Sequence, residues 1–264
     1  MKPILKWAGG KTALLDKIKE RMPVQYGTYF EPFVGGGAVF LNLSQGKAVI
    51  NDKNRELINC YIQVRDHLED LLLILDELQT IHSEEKYYEL RSDFNIRKAE
   101  NKYELYDAAL MIYLNRAGFN GMYRENSSGN FNIPSGKKKT VILYERENFQ
   151  EVSEKLKKAI ILNEDFESAV KTAKEGDFVY FDSPYDDTFD EYQKGGFPRS
   201  EHERLSKLCD KLTDNNIYFM LSSSDSEFIK NLYNNYSIDE VQIQRTIGLK
   251  RARKIETELL IMNY

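Results

Sequence analysis

Apolar residues recur along this chain in two rhythms. Short apolar runs end abruptly in polar or turn residues at 28–30, 47–50, 159–162, 178–181 and 217–221. Runs of that length bounded by turn signals predict buried strands. Two later strands are predicted at about 236–244 and 257–263. Between the strands, apolar positions three and four apart predict helices over 11–21, from Ala38 onward, and over 146–158 and 200–214. Strand alternating with helix predicts an α/β fold.

One block breaks that alternation. From Asn54 to about Arg116 the pattern is almost wholly helical, in segments near 54–65, 67–80, 84–98 and 102–116. Such a block suits an insertion into an α/β domain. It leads into a stretch, 119–134, whose Ser127-Ser128-Gly129-Asn130 centre lies between aromatic arms. That is a hairpin signal.

Composition adds little to this picture. The 264 residues, 41% hydrophobic and 30% charged, suit one large soluble α/β domain or one with a sizeable insertion. A net charge of −5 neither announces nor excludes a nucleic-acid partner, because phosphate contact depends on the local surface. Cys60 and Cys209 form no disulfide or metal pattern and read as small core residues. His67, His82 and His202 lack ligand spacing, so no metal is expected. The first residues carry no apolar leader, and the run Leu71 to Leu75 is too short to span a bilayer. The expectation is a cytoplasmic protein with no membrane partner.

The chemistry concentrates at strand ends. Tyr180-Phe181-Asp182-Ser183-Pro184-Tyr185 closes the run 178–181 with an acid, a proline and an aromatic. Open α/β sheets bind ligands at the carboxyl ends of their strands. There Asp182 can accept from an amino group, and Tyr185 offers a flat face to a ring. Upstream, Lys6-Trp7-Ala8-Gly9-Gly10-Lys11 precedes a helix whose first amides can take an anion. Glu31-Pro32-Phe33-Val34-Gly35-Gly36-Gly37 joins a strand to a helix, the shape of a nucleotide-cofactor turn without the GxGxxG spacing. Asp52 ends the next strand about 15 residues on, where a ribose diol is read. Another acid, Asp165, ends the run 159–162. In the hairpin, Asn120, Arg124 and exposed aromatics are types that read base edges, and Lys137-Lys138-Lys139 suits phosphates. Residues 186–197 suit a mobile lid, and Lys250 to Lys254 form a basic loop.

Taken as an ordered set, these motifs resemble the Dam-type (alpha-group) DNA adenine-N6 methyltransferases. The resemblance runs from Leu5 to the closing Glu258-Leu259-Leu260-Ile261-Met262-Asn263-Tyr264, and includes Phe119-Asn120-Gly121-Met122-Tyr123-Arg124 of that family's target-recognition hairpin. It implies a seven-stranded Rossmann-like S-adenosylmethionine-dependent methyltransferase sheet. The catalytic domain would comprise 1–55 and 145–264, and a target-recognition insertion 56–144. It further implies S-adenosylmethionine as cofactor, S-adenosylhomocysteine as product, and double-stranded DNA as partner. The protein would be a monomer in solution, with two copies able to share one palindromic site. Trp7, Lys11, Phe33, Gly35, Gly37, Asp52, Asp165, Phe166 and Asp182 would bind the cofactor. Lys6, Phe119, Asn120, Met122, Arg124, Pro134 and Lys138 would face DNA. Asp182, Ser183, Pro184 and Tyr185 would form the catalytic motif around a flipped adenine, within GATC.

One position departs from the family. Ser183 stands where the motif normally has proline. A serine still supplies the main-chain carbonyl but loses the fixed φ and gains an N–H. Two other readings therefore stand beside adenine methylation. One is a non-catalytic DNA-binding relative that keeps the cofactor pocket; the other is methylation of cytosine N4, since related motifs serve both exocyclic amines.

Overall fold

The computed structural model describes residues 1–185, 197–247 and 252–264, with side chains described outside 244–255. The expected lid at 186–197 lies outside the described residues except for Phe197, and so do the side chains of the basic loop.

Seven strands among the described residues form one sheet. They are β1 (Tyr29–Glu31), β2 (Ala48–Asn51), β3 (Ala159–Leu162), β4 (Phe178–Phe181), β5 (Tyr218–Ser224), β6 (Ser237–Ile247) and β7 (Ala252–Met262). Their order is β3-β2-β1-β4-β5-β7-β6. Strand β1 runs parallel to β2 and β4, and β4 parallel to β5, while β7 lies antiparallel between β5 and β6. Strands β1 and β4 are buried throughout, which explains why Tyr29-Phe30 and Phe178-Val179-Tyr180-Phe181 read as unbroken apolar runs. Strand order reverses direction between β1 and β4, the place where doubly wound sheets bind ligands.

Strand β5 runs further than its apolar pattern suggests. Ser222 and Ser223 are fully buried, and pairing of Ser222 with Leu260 and Ser224 with Glu258 carries the strand through three serines. Serines carried inside a sheet by backbone pairing leave no hydrophobic signal.

The chain divides into two compact units. The first comprises Met1–Gly10, Gly35–Leu41 and Asp52–Asn163; the second comprises Lys11–Val34, Asn42–Asn51 and Glu164–Tyr264. Residues 1–10, 35–41 and 145–163 thus pack with the helical block, beyond the expected insertion bounds.

In the first unit, α3 (Arg55–Asp66), α4 (Leu68–Thr80) and α5 (Glu84–Ala99) surround α6 (Leu105–Ala117). Helix α6 is buried from Ala108 through Leu114, so it is apolar on every side and central. Asn54 caps α3 by accepting from the Leu57 amide at 2.8 Å, and Ser83 caps α5 through Lys86 N at 3.0 Å. Asp107 accepts from Glu104 N at 2.8 Å, which starts α6 later than its periodicity suggests. Helix α7 (Arg146–Leu156) then leads to β3. The hairpin arms meet at antiparallel bridges, Gly118 to Ser135 and Glu125 to Phe131. Gly129, at φ +79°, makes the turn between them, where Asn126 N donates to Asn130 O at 2.9 Å.

In the second unit, α1 (Leu15–Arg21) follows a single 3-10 turn, Lys11–Leu14, and α9 (Arg199–Asp214) packs against β5. Two short helices, α8 (Phe166–Ala169) and α10 (Glu227–Leu232), went unpredicted. Both begin with caps, Asp165 accepting from Glu167 N at 3.0 Å and Ser226 from Ile229 N at 3.2 Å. One or two turns are too short for periodicity to register. Helix α2 (Ala38–Leu43) carries the chain from the first unit into the second. Among the described residues no helix is long and apolar enough to cross a membrane.

Candidate functional site

Strand β4 delivers Asp182 to the carboxyl edge of the second unit's sheet. Lys11 Nζ stands 2.6 Å from Asp182 Oδ1, and the lysine side chain is only 2% exposed. Ser222 on β5 donates to the same oxygen at 3.3 Å, and Tyr180 in turn donates to Ser222 Oγ at 3.0 Å. Both contacts fall on Oδ1. Among the described residues Oδ2 is left as an acceptor.

Lys11 also donates to the Tyr185 hydroxyl at 2.9 Å, and that hydroxyl donates to Glu258 Oε1 on β7 at 2.6 Å. The ammonium lies 4.0 Å from Glu258 Oε2. Burial raises Asp182 above the usual carboxylate range more than Lys11 lowers it, and Glu258 raises it further. For Lys11, burial works downward, but Asp182, Tyr185 and Glu258 together hold the ammonium well above its ordinary range. Burial pushes the Tyr185 phenol up to about 12, so it stays protonated and can donate to Glu258. Ser183 is buried, and its hydroxyl finds no partner among the described residues. A buried orphan hydroxyl costs about 1–3 kcal/mol. Pro184 is exposed.

An aromatic wall lies in the same unit. Phe33, just past β1, packs its ring on Phe166 at 5.4 Å and edge-on to Phe197 at 5.6 Å. Asp165 caps α8 with one oxygen and takes Arg204 on the other at 2.6 Å, and that guanidinium covers the Phe166 ring at 4.2 Å.

The first unit holds Trp7, Gly35, Gly37 and Asp52, the other residues expected at a cofactor. Gly35 N donates to Asp52 Oδ2 and Asn54 N to Oδ1, both at 2.9 Å. Two amides therefore fix that carboxylate. Gly35 has φ +47°, and a Cβ there would sit 2.9 Å from Trp7 Cδ1, so only glycine fits under the indole. Tyr61 donates to Gly35 O at 2.7 Å, and a Cβ on Gly37 would meet the same hydroxyl at 3.0 Å. Trp7 stacks on Tyr123 at 5.2 Å between centroids.

The hairpin residues named by the sequence lie at the surface of this unit. Phe119 and Met122 are 38% and 40% exposed, large values for apolar side chains. Asn120 adopts φ +55°, and Pro134 accepts from Phe119 N at 2.9 Å. Arg124 is exposed and donates to Asn132 Oδ1 at 2.9 Å. Lys6 is exposed, its backbone held at both N and O by Asn115 at 2.9 Å. Lys138 donates to the Arg116 carbonyl. Burial, then Lys6 and Arg116, lower its pKa, so these three cations share a neighbourhood.

Sequence reasoning did not assign roles to Glu258, Arg204, Tyr61, Arg116 or Lys98. Glu258 carried a signal, being the acid that opens the apolar run of β7; the others look like ordinary helix residues.

The strand order, with β7 inserted antiparallel between β5 and β6 and an acid, proline and tyrosine beyond β4, defines a Rossmann-like methyltransferase. Residues 7–247 match the D12 class N6 adenine-specific DNA methyltransferases, and the chain belongs to that family. It is 40% identical over 272 residues to the Type II methyltransferase M1.LlaDCHI of Lactococcus lactis subsp. cremoris, covering 100% of this chain and 96% of that one. Identity to the Type II methyltransferase M.MjaIII of Methanocaldococcus jannaschii is 37%, over 100% and 99% of the two chains. The DNA adenine methylase of Haemophilus influenzae is 31% identical, over 98% and 92%. This protein is an adenine-specific DNA methyltransferase.

Proposed function

We propose that the enzyme transfers a methyl group from S-adenosylmethionine to N6 of an adenine turned out of duplex DNA, within GATC. The observation that carries this reading is Asp182: a carboxylate at the end of β4 with one oxygen tied to Lys11 and Ser222 and the other left as an acceptor. The target sequence rests on the likeness of residues 119–124 to the Dam-type hairpin. We assign target recognition to 56–144.

The side chains present suit the cofactor. A carboxylate oriented by two amides, as Asp52 is, can accept from a ribose diol. The Phe33, Phe166 and Phe197 rings offer apolar faces to an adenine. Phe166 N stands at the first position of α8, where no intrahelical carbonyl can take it, and Asp165 beside it can accept from an amine. When bound, S-adenosylmethionine supplies an electrophilic sulfonium methyl. No metal is assigned a role.

Adenine N6 is a poor nucleophile because its lone pair is delocalised into the ring. Asp182 Oδ2 and the Ser183 carbonyl would accept its two hydrogens and favour a tetrahedral nitrogen. That interaction strengthens as N6 becomes positive, so it acts mainly on the transition state. Tyr185 would stack on the extruded base. Such stacking contributes about 1–3 kcal/mol, comparable to the few kcal/mol that flipping costs. Hairpin contacts must therefore share in extrusion. Lys6, Arg116 and Lys138 would take phosphates, and Phe119 would fill the stack left behind.

The test is to incubate the protein with unmethylated plasmid and cofactor, digest to nucleosides, and quantify methylated bases by mass spectrometry. N6-methyladenine is expected, together with protection of GATC sites from a methylation-sensitive nuclease. Asp182→Asn should lower turnover by about 10³-fold or more. N4-methylcytosine would overturn the base assignment. Binding without product would leave Ser183 as the mark of a non-catalytic relative.

A further inference from the structure

Lys11 sits among two carboxylates, and only one of them belongs to the catalytic motif. Asp182 lies 2.6 Å from its ammonium and Glu258 4.0 Å, and Glu258 is 2% exposed. A lysine paired with Asp182 alone would leave a neutral pair at the end of β4. A neutral pair gives weak support to a nitrogen that is turning positive. Glu258 changes that sum: one ammonium and two carboxylates leave a net negative charge. It is held where water cannot screen it. Glu258 also receives the Tyr185 hydroxyl at 2.6 Å, so it orients the tyrosine of the same motif.

We propose that Glu258 is a positioning residue for methyl transfer, supplying the net negative charge behind Asp182 and fixing Tyr185 and Lys11. This rests on the reading of Asp182 as the N6 acceptor. Other groups facing Asp182 cannot supply that charge. Ser222 and Tyr180 are hydroxyls, and Tyr185 is a protonated phenol. Glu258 also helps to raise Asp182 above the usual carboxylate range, which makes that oxygen a stronger acceptor.

The test compares Glu258→Gln with Glu258→Asp and Asp182→Asn in the full chain, on duplex DNA containing one GATC site. The amide keeps the size and the acceptor oxygen but not the charge. Its kcat should fall about ten- to a hundredfold, with KM for DNA and cofactor changing less than about threefold. The acid limb of its kcat–pH profile should move to lower pH, because Asp182 loses a neighbouring negative charge. Glu258→Asp restores the charge and should recover most of kcat, with the limb left in place. Equal impairment of the amide and the aspartate, or an unmoved limb in the amide, would reduce Glu258 to a structural role. Should the amide fail to fold, the aspartate alone decides, since a shifted limb there overturns the proposal. Turnover retained in Asp182→Asn would sink the acceptor reading itself. An inactive Asp182→Asn beside an unaltered Glu258→Gln would sink only this inference.

Discussion

Two lysines in this protein each stand among two carboxylates and a tyrosine. In the second unit Lys11 meets Asp182, Glu258 and Tyr185. In the first, Lys98 on α5 meets Glu56 of α3 at 3.2 Å, Glu125 of the hairpin, and the Tyr123 hydroxyl at 3.3 Å. The parts are alike, but their burial differs: Lys11 is 2% exposed and Lys98 is 19%. Burial decides what such a cluster can do. Around Lys11 the charges are shielded from water, and the protonation of Asp182 and Tyr185 shifts. Around Lys98 burial, Glu56 and Glu125 also raise the Tyr123 phenol. The ammonium there is more open to solvent, however, and no member belongs to the strand-end motif, so the part we assign to this cluster is mechanical. That cluster ties one hairpin arm to two helices.

The contrast is tested hardest by Lys11→Met. It leaves a buried acid, Glu258, and a half-buried one, Asp182, without their cation, a change that costs up to about 3–5 kcal/mol. The denaturant midpoint should fall accordingly, and turnover should fall with it. Adding Glu258→Gln should recover part of the lost stability, because one of the stranded charges is then gone. Because its folded pKa is raised, Lys11 contributes fully below the ordinary lysine range and loses that contribution only at more alkaline pH. The pH dependence between 6 and 9 should therefore be flat for the Lys11 term, as read from denaturation at several pH values. A double variant no more stable than Lys11→Met would show that the two acids do not share the lysine.

The two clusters were unequally legible. Asp182 and Tyr185 lie three residues apart in one motif beyond an apolar strand, so the sequence itself brings them together. Lys11 was marked by the glycines before it and read as a cofactor residue; that its ammonium meets Asp182 depends on how the first turn folds beside β4. Glu258 lies 73 positions from Tyr185 and reaches it only through the antiparallel pairing of β5 with β7. Strand pairing of that range leaves no local trace. Lys98, Glu56 and Glu125 each look like solvated helix or loop charges, and their meeting depends on the packing of α3 against α6 and of the hairpin beside α5. The sheet was legible because β1 and β4 are buried on both faces. The extension of β5 was not, because serines held in the sheet by their backbone pairing with β7 leave no apolar pattern.

Arg124 sharpens the mechanical reading of the Lys98 cluster. It lies between Tyr123 and Glu125, both of which Lys98 holds, while Arg124 itself is exposed and bonded to Asn132 at 2.9 Å. An extended arm alternates its side chains, so anchoring 123 and 125 presents 124 to the opposite side. Arg124→Ala should relax base choice at one position of the site, with about 1–3 kcal/mol of discrimination lost there. Methylation rates on a set of sites varied one base pair at a time would read this. Uniform weakening across all sequences would instead make Arg124 a phosphate contact.

The smallest expected effect falls on Lys98 itself. Lys98→Met keeps the apolar stem and removes the ammonium that joins Glu56 to the hairpin. Partly exposed pairs of this kind contribute up to about 1 kcal/mol, so KM for DNA should rise about threefold to fivefold while kcat at saturating DNA stays level. The sole tryptophan gives an independent readout. Trp7 stacks on Tyr123 at 5.2 Å, and a looser hairpin should change the indole's emission before any DNA is added. Glu125→Gln should produce the same emission change, since it breaks the same tie from the other side. A fall in kcat, with emission and KM unchanged, would mean that Lys98 acts on the reaction through charge, and the distinction drawn from burial would fail.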